Sequence, residues 1–182
     1  MKFILILFSI LLALSCQSKL DLSPLPIGGD FSYSDKSGKM ISLKDFKEPV
    51  ILVFFGYTQC PDFCPNILSK LKKTKLLLSE ESKFRIVFIS IDPSRDDPNT
   101  VQKYVDFYSD NATGLSFNES TTALIVKKYA AYVEKANDPS LIDHSTYIYV
   151  LDAERKTRAL LKSNESAEHY AEVIKVLSGD SI

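Results

Sequence analysis

Cys60 and Cys64 are separated by three residues in Gln59-Cys60-Pro61-Asp62-Phe63-Cys64-Pro65, and each precedes a proline. In an α-helical arrangement this spacing puts both sulfurs on one face, about one turn apart. A slight bend would close a disulfide or bring both onto one metal ion. A bridge there would do little for stability, because so short a loop constrains the unfolded chain only weakly. The pair therefore reads as reactive: exchange with other disulfides, or capture of a soft metal. Two thiolates alone suit a linear Cu(I) site, and holding Cu(II) as well requires a nitrogen ligand. The sequence offers two imidazoles. His169 sits among polar residues in Ser166-Ala167-Glu168-His169-Tyr170 and reads as solvated surface. His144 stands just before Thr146–Leu151, the most strongly β-forming run of the C-terminal half, so it is expected on a loop held by a rigid strand.

The flanking residues must position these groups. Ile51 to Phe55 is an unbroken β-branched and aromatic run, as in a strand covered on both faces, and Gly56 ends it. Ile67, Leu68 and Leu71 set a helical face, and the helix is expected to run to about Ser79. Pro61 and Pro65 fit a first helical turn, where a missing N–H costs nothing. Both sulfurs then lie at or beside a helix N-terminus, whose partial positive charge favours thiolate. Lys70, Lys72, Lys73 and Lys75 read as a solvated face.

Arg85–Ile91 is a second buried strand, broken by Asp92-Pro93, and a helix is predicted from Asn99 through Tyr108. This rhythm argues for parallel pairing with right-handed crossovers. Asp92 and Asp96 read either as turn and capping residues or as supports of the site. Further on, a short strand is expected over Gly114–Phe117, a helix capped by serine or threonine over Ser120–Tyr129, and a strand beginning at Tyr132-Val133. Thr146–Leu151 should pair antiparallel with Arg158–Leu161 before a terminal helix, Glu168–Leu177. Upstream, Phe31, Tyr33 and Met40–Leu43 flank the turn signal Asp35-Lys36-Ser37-Gly38, predicting an N-terminal β-hairpin. The expected class is α/β: a central mixed β-sheet of about four or five strands with helices on both faces. The cysteine loop falls at the carboxyl end of the first parallel strand, where open α/β sheets place their sites.

With 182 residues the chain is long enough for one well-cored domain, and 45% hydrophobic against 25% charged residues excludes a disordered polymer. A formal net charge of −1 gives no electrostatic case for nucleic acid or a polybasic membrane surface. Phe3–Leu14 is apolar except for Ser9 and follows Lys2; at about twelve residues it fits the core of an export signal better than a membrane span. Leu12-Ala13-Leu14-Ser15-Cys16 resembles the bacterial lipoprotein cleavage box. That resemblance implies a signal peptide over residues 1–15 and a lipid-bearing Cys16. A tether over 16–28 and a domain over 29–182 would follow. The domain would stand on the periplasmic side of a bacterial membrane, anchored by lipid, where a thiol pair can be oxidised.

Gly56-Tyr57-Thr58-Gln59-Cys60-Pro61-Asp62-Phe63-Cys64-Pro65 resembles the signature of the Sco/SenC family, thioredoxin-fold proteins that deliver copper to cytochrome c oxidase. Ile89-Ser90-Ile91-Asp92-Pro93-Ser94-Arg95-Asp96-Asp97-Pro98 resembles that family's second motif, and Asp143-His144-Ser145, with Tyr149 and Asp152 downstream, its third. Order and spacing agree from about Gly29 to Leu177. The resemblance implies a thioredoxin-like domain in which Cys60, Cys64 and His144 ligate copper, as Cu(I) and Cu(II). Its partner would be the oxidase's subunit II, with its dinuclear copper centre, or another copper chaperone. Gln59 stands where histidine is common in the family, at a position that is not one of the three ligands. Asp62 is expected beside the sulfurs as a supporting or partner-contacting group. The same cysteine pair serves a second function, a thiol–disulfide reductase acting on the oxidase's own cysteines. A third, a thiol peroxidase, would use Thr58 beside the reactive cysteine.

Overall fold

The computed structural model describes residues 20–79, 83–138 and 140–179. The first element is a hairpin of β1 (Ser32–Ser34) and β2 (Met40–Ser42). Its turn is fixed by the Asp35 carboxylate, which accepts from the Ser37 and Lys39 amides at 2.9 Å each. This is the N-terminal hairpin expected from the sequence.

Everything else is arranged on a five-stranded mixed sheet. Its centre is β3 (Val50–Gly56), buried at every residue. It pairs in parallel with β4 (Phe84–Ser90), which pairs in parallel with β5 (Ala112–Leu115). On its other side β8 (Ile148–Leu151) and then β9 (Thr157–Leu161) run antiparallel. An unbroken apolar strand needs cover on both faces, and it has it. On one face Phe54 meets Phe88, which meets Tyr104, under α1 (Phe63–Leu76), α2 (Pro98–Asp106) and α4 (Ala167–Ser178). On the other, Phe55, Tyr129 and Tyr149 form a cluster of edge-on rings at the end of α3 (Glu119–Lys128).

Three helices begin at polar side-chain caps. Asp97 accepts from Asn99 and Thr100, Asn118 from Thr121, and Ser166 from His169. The cap of α3 is thus an asparagine rather than the serine or threonine expected. The cysteine helix ends at Leu76, short of the predicted Ser79. The strand predicted over Gly114–Phe117 is shifted to Ala112–Leu115, because Ser116 turns its hydroxyl to the carbonyl of Asp96 at 2.7 Å and leaves the ladder.

The stretch expected to be a tether is packed from Leu22 onward. Leu22 is buried, the Leu25 amide donates to the Thr157 carbonyl at 2.8 Å, and Arg158 donates to the Leu22 carbonyl. Gly28, at φ 71°, lies so close to the sheet that a Cβ would come within 2.7 Å of both Thr157 Oγ1 and the Tyr129 ring. Apolar Leu22 and Ile27 interrupt the polar run, and burying Leu22 and packing Ile27 against the core outweighs the freedom of a linker. Cys16 and the predicted signal peptide lie outside the described residues.

Arg155 occupies the turn between β8 and β9 at φ 62°, buried to 5% exposure. Its guanidinium donates to four carbonyls: Leu43 at 2.9 Å, Phe46 at 2.5 Å, Glu48 at 3.0 Å and Asp152 at 3.2 Å. The segment leading into β3 is thereby pinned to the far side of the sheet. Arg155→Met should cost about 3 kcal/mol, since it strands several buried carbonyls, each worth roughly 1–3 kcal/mol when unsatisfied. Urea unfolding would show it, and a midpoint equal to wild type would refute this role.

Candidate metal centre

At the carboxyl end of β3 the chain turns through Tyr57–Asp62 before entering α1. Cys60 sits in that turn, its amide donating to the Tyr57 carbonyl at 3.1 Å, and Cys64 is the second residue of the helix. The two cysteines therefore do not share a helical face as the spacing suggested. One caps the helix that carries the other. Asp62, at the N-cap position, gives no side-chain cap and instead accepts from the Asn66 amide group at 2.6 Å. The Cys64 N–H points at the sulfur of Cys60, 3.4 Å away. Pro65 falls within the first turn of α1 as predicted, while Pro61 precedes the helix.

Both cysteines are free thiols and buried, Cys60 at 7% exposure and Cys64 at none. They ionise in opposite directions. The Cys60 thiol is held far below its ordinary range. The main cause is the hydrogen bond from the Cys64 thiol; His144 and the amides of Cys64 and Asp62 add to it against the cost of burial. Cys64 is pushed up, first as the donor in that same bond and then by burial. A single negative charge thus rests on Cys60.

His144 arrives on a different element. β6 (Val133–Lys135) and β7 (Ile142–His144) form a separate two-stranded hairpin, with Val133 opposite His144. The histidine is the last residue of a strand, not on a free loop. Its Nδ1 lies 2.9 Å from the Ser145 carbonyl. This contact fixes the orientation of the ring. The ring stands edge-on to Tyr57, centroids 6.0 Å apart. One ligand atom from each of Cys60, Cys64 and His144 falls within 4.8 Å of the other two. Two sulfurs and one imidazole nitrogen at this separation could hold one soft ion. They open into a cleft of about 270 Å³ that Asp62, Phe63, Tyr132 and Asp143 also line.

The other sequence candidates fall around the site rather than in it. Asp96, 1% exposed, accepts from the Thr58 amide at 3.1 Å, the Thr58 hydroxyl at 2.5 Å and Ser90 Oγ at 2.6 Å. It fastens the cysteine turn to the end of β4. Thr58, the residue a peroxidase would use, has its hydroxyl committed to this bond. Asp92 pairs with Arg95 and accepts from Ser94. His169 lies in the first turn of α4, its Nδ1 3.5 Å from Glu172, away from the three clustered groups. Gln59 accepts from Arg95 at 3.2 Å. The sequence reading gave no role to Tyr57 or Arg95. Their only signal was position: one directly follows the strand-ending glycine, the other stands inside the Asp92-Pro93-Ser94-Arg95 turn.

Fold and site together define a class: a thioredoxin-like domain whose dithiol turn is completed by an imidazole from a separate hairpin. The chain belongs to the SCO1/SenC family, whose model matches residues 21–178. The SCO2-like protein of Rickettsia felis is 31% identical over 155 residues, which cover 82% of this chain and 76% of that one. The structure of Bradyrhizobium japonicum ScoI with copper bound agrees with a TM-score of 0.72 at 31% identity, over 83% of this chain and 99% of that one. BsSco has a disulfide switch and is a member of the Sco family of cytochrome c oxidase assembly proteins. It agrees at 0.67 over 87% of this chain and 98% of its own, and at 22% identity that likeness shows the fold.

A Cβ on Gly56 would lie 2.6 Å from Cys64 Sγ and 2.7 Å from the Phe88 ring. Gly56→Ala should therefore destabilise the domain by about 1–3 kcal/mol through overpacking, measured by urea unfolding of the reduced protein. Alkylation of Cys60 should also keep its rate as pH falls from 8 to 6. Its thiolate persists below the ordinary thiol pKa, whereas an ordinary thiol of pKa about 8.5 loses roughly tenfold per pH unit well below that value. Mass spectrometry after timed iodoacetamide quenching would read it, and an ordinary thiol's fall would refute the charge assignment.

Proposed function

We propose that the protein is a copper-binding assembly factor that holds copper through Cys60, Cys64 and His144. It delivers the metal to cytochrome c oxidase, at the dinuclear copper centre of subunit II or by way of another copper chaperone. The observation that carries this reading is the gathering of those three donors within 4.8 Å. Their chemistry fits the cargo: two sulfurs suit Cu(I), and the imidazole extends the set to Cu(II). Support also comes from the copper-bound Bradyrhizobium japonicum relative and from the family's association with oxidase assembly.

Each residue has a distinct part. Cys60 is already ionised and accepts Cu(I) without first losing a proton, while Cys64 releases its proton on binding. His144 supplies the nitrogen ligand, its ring oriented by the Ser145 carbonyl. Delivery proceeds by ligand exchange, incoming thiolates of the partner replacing those of Cys60 and Cys64 in turn. Copper keeps its oxidation state in such a transfer. The export signal and a lipid on Cys16 would hold the domain on the periplasmic face of a bacterial membrane, beside a membrane-embedded oxidase.

The unequal thiols also admit a second reading. As a thiol–disulfide reductase, the Cys60 thiolate attacks a disulfide of the oxidase subunit and forms a mixed disulfide. Cys64 then attacks the Cys60 sulfur, expelling the partner's dithiol and leaving this pair oxidised. The two readings separate at His144, which only the metal needs. His144→Ala should abolish stable Cu(II) binding, measured by metal stoichiometry and the visible spectrum, while Cys60 and Cys64 still oxidise to a disulfide. Unchanged Cu(II) binding would defeat the ligand assignment.

A further inference from the structure

The hairpin that carries His144 is not part of the main sheet. Among the described residues, 132–145 make two hydrogen bonds to the rest of the domain besides the contact of His144 with Cys60. The Ile142 amide donates to the Tyr57 hydroxyl at 3.3 Å, and Arg95 Nη1 donates to the Ser140 carbonyl at 3.0 Å. Both anchors meet in one unit, because the Arg95 guanidinium lies 5.7 Å from the centroid of the Tyr57 ring. The same guanidinium reaches the other half of the site. Its Nη1 also donates to Gln59 Oε1 at 3.2 Å, and its Nε is bound by the Asp92 carboxylate. One side chain thus joins the cysteine turn, the turn after β4 and the tip of the histidine hairpin. Asp92, 5% exposed, keeps the charge compensated and the fork aimed.

We infer that Arg95, stacked on Tyr57, is the positioning residue that holds the His144 hairpin over the two thiols and so sets whether the imidazole completes the site. The inference rests on the proposed copper reading only for its effect on metal; the strut itself is a property of the apoprotein. Lysine cannot replace it, since an ammonium offers no planar fork to reach Gln59, Ser140 and Asp92 while lying on a ring. Sequence alone does not separate this arginine from an ordinary turn residue, because two of its partners, Gln59 and Ser140, come from distant segments.

The test compares wild type, Arg95→Met, Arg95→Lys and Tyr57→Phe, the last removing only the hydroxyl that receives Ile142. In the reduced apoprotein, amide hydrogen exchange at Ile142 and Ser145 should speed up at least tenfold in both arginine variants, and at Ile142 in Tyr57→Phe. Exchange at Val53 and Phe54 in β3 should stay unchanged. With copper, both arginine variants should lose at least tenfold in Cu(II) affinity and shift the visible spectrum towards that of His144→Ala. Cu(I) affinity and disulfide formation should change less than threefold. Hairpin exchange at the wild-type rate, a rise shared equally by β3, or full rescue by Arg95→Lys would each overturn the inference. Faster hairpin exchange in a protein whose wild type binds no copper through His144 would uphold the strut and defeat the copper reading instead.

Discussion

Cys64 directs both its thiol and its amide at the sulfur of Cys60, and from that contact the site takes its character. A helix N-terminus leaves N–H groups without partners and presents about half a positive charge. Elsewhere in this protein an aspartate, asparagine or serine fills that place; at α1 a sulfur does. The helix dipole alone contributes roughly 0.3–1 kcal/mol, too little to hold a charge on a thiol this buried. Hydrogen bonds to a charged acceptor are worth roughly 1.5–3 kcal/mol each. Those from the Cys64 thiol, His144 and two amides together outweigh desolvation, which explains why Cys60 ionises and its neighbour does not.

The platform beneath this contact is unusually constrained for a surface site. Gly56 leaves no room between the end of β3 and Cys64. Asp96, buried and holding three donors, locks the first residues of the turn to β4. A fully bonded buried carboxylate of this kind rigidifies, whereas an unbonded one would cost several kcal/mol. The dithiol turn is therefore fastened from below and from the side. The histidine hairpin is attached more lightly, by the partial packing of Val133 and Ile142 and by its hydrogen bonds to Tyr57 and Arg95. In the proposed copper site this difference has a use. A rigid pair of sulfurs keeps Cu(I) bound, and a third ligand on a lightly held arm can yield its place to a partner's thiolate.

The unequal thiols serve metal capture and disulfide exchange alike, so the cysteines do not separate the two readings. What distinguishes this site from a bare redox turn is the imidazole, brought in from a hairpin outside the main sheet and oriented by the Ser145 carbonyl. In an exchange mechanism that arm would do no more than help to ionise Cys60.

The buried strands, the parallel order of β3 and β4, the antiparallel C-terminal pair and the N-terminal hairpin were all legible in the sequence, since they depend on side-chain periodicity and local turn chemistry. The three motifs likewise named the two thiols and the imidazole that the fold brings together, because residue type and order are properties of the chain. Three features were decided only by the folded molecule. Cys60 caps the helix of Cys64 instead of sharing its face, because the turn after Tyr57 delays the helix start. Residues 22–29 pack instead of spanning, because their few apolar side chains find a groove that exists only once β9 is built. The parts of Tyr57 and Arg95 depend on residues from Gln59, Asp92 and Ser140 meeting at one point. No local pattern encodes such a meeting, since it follows from the sheet bringing the ends of β3 and β4 beneath the hairpin.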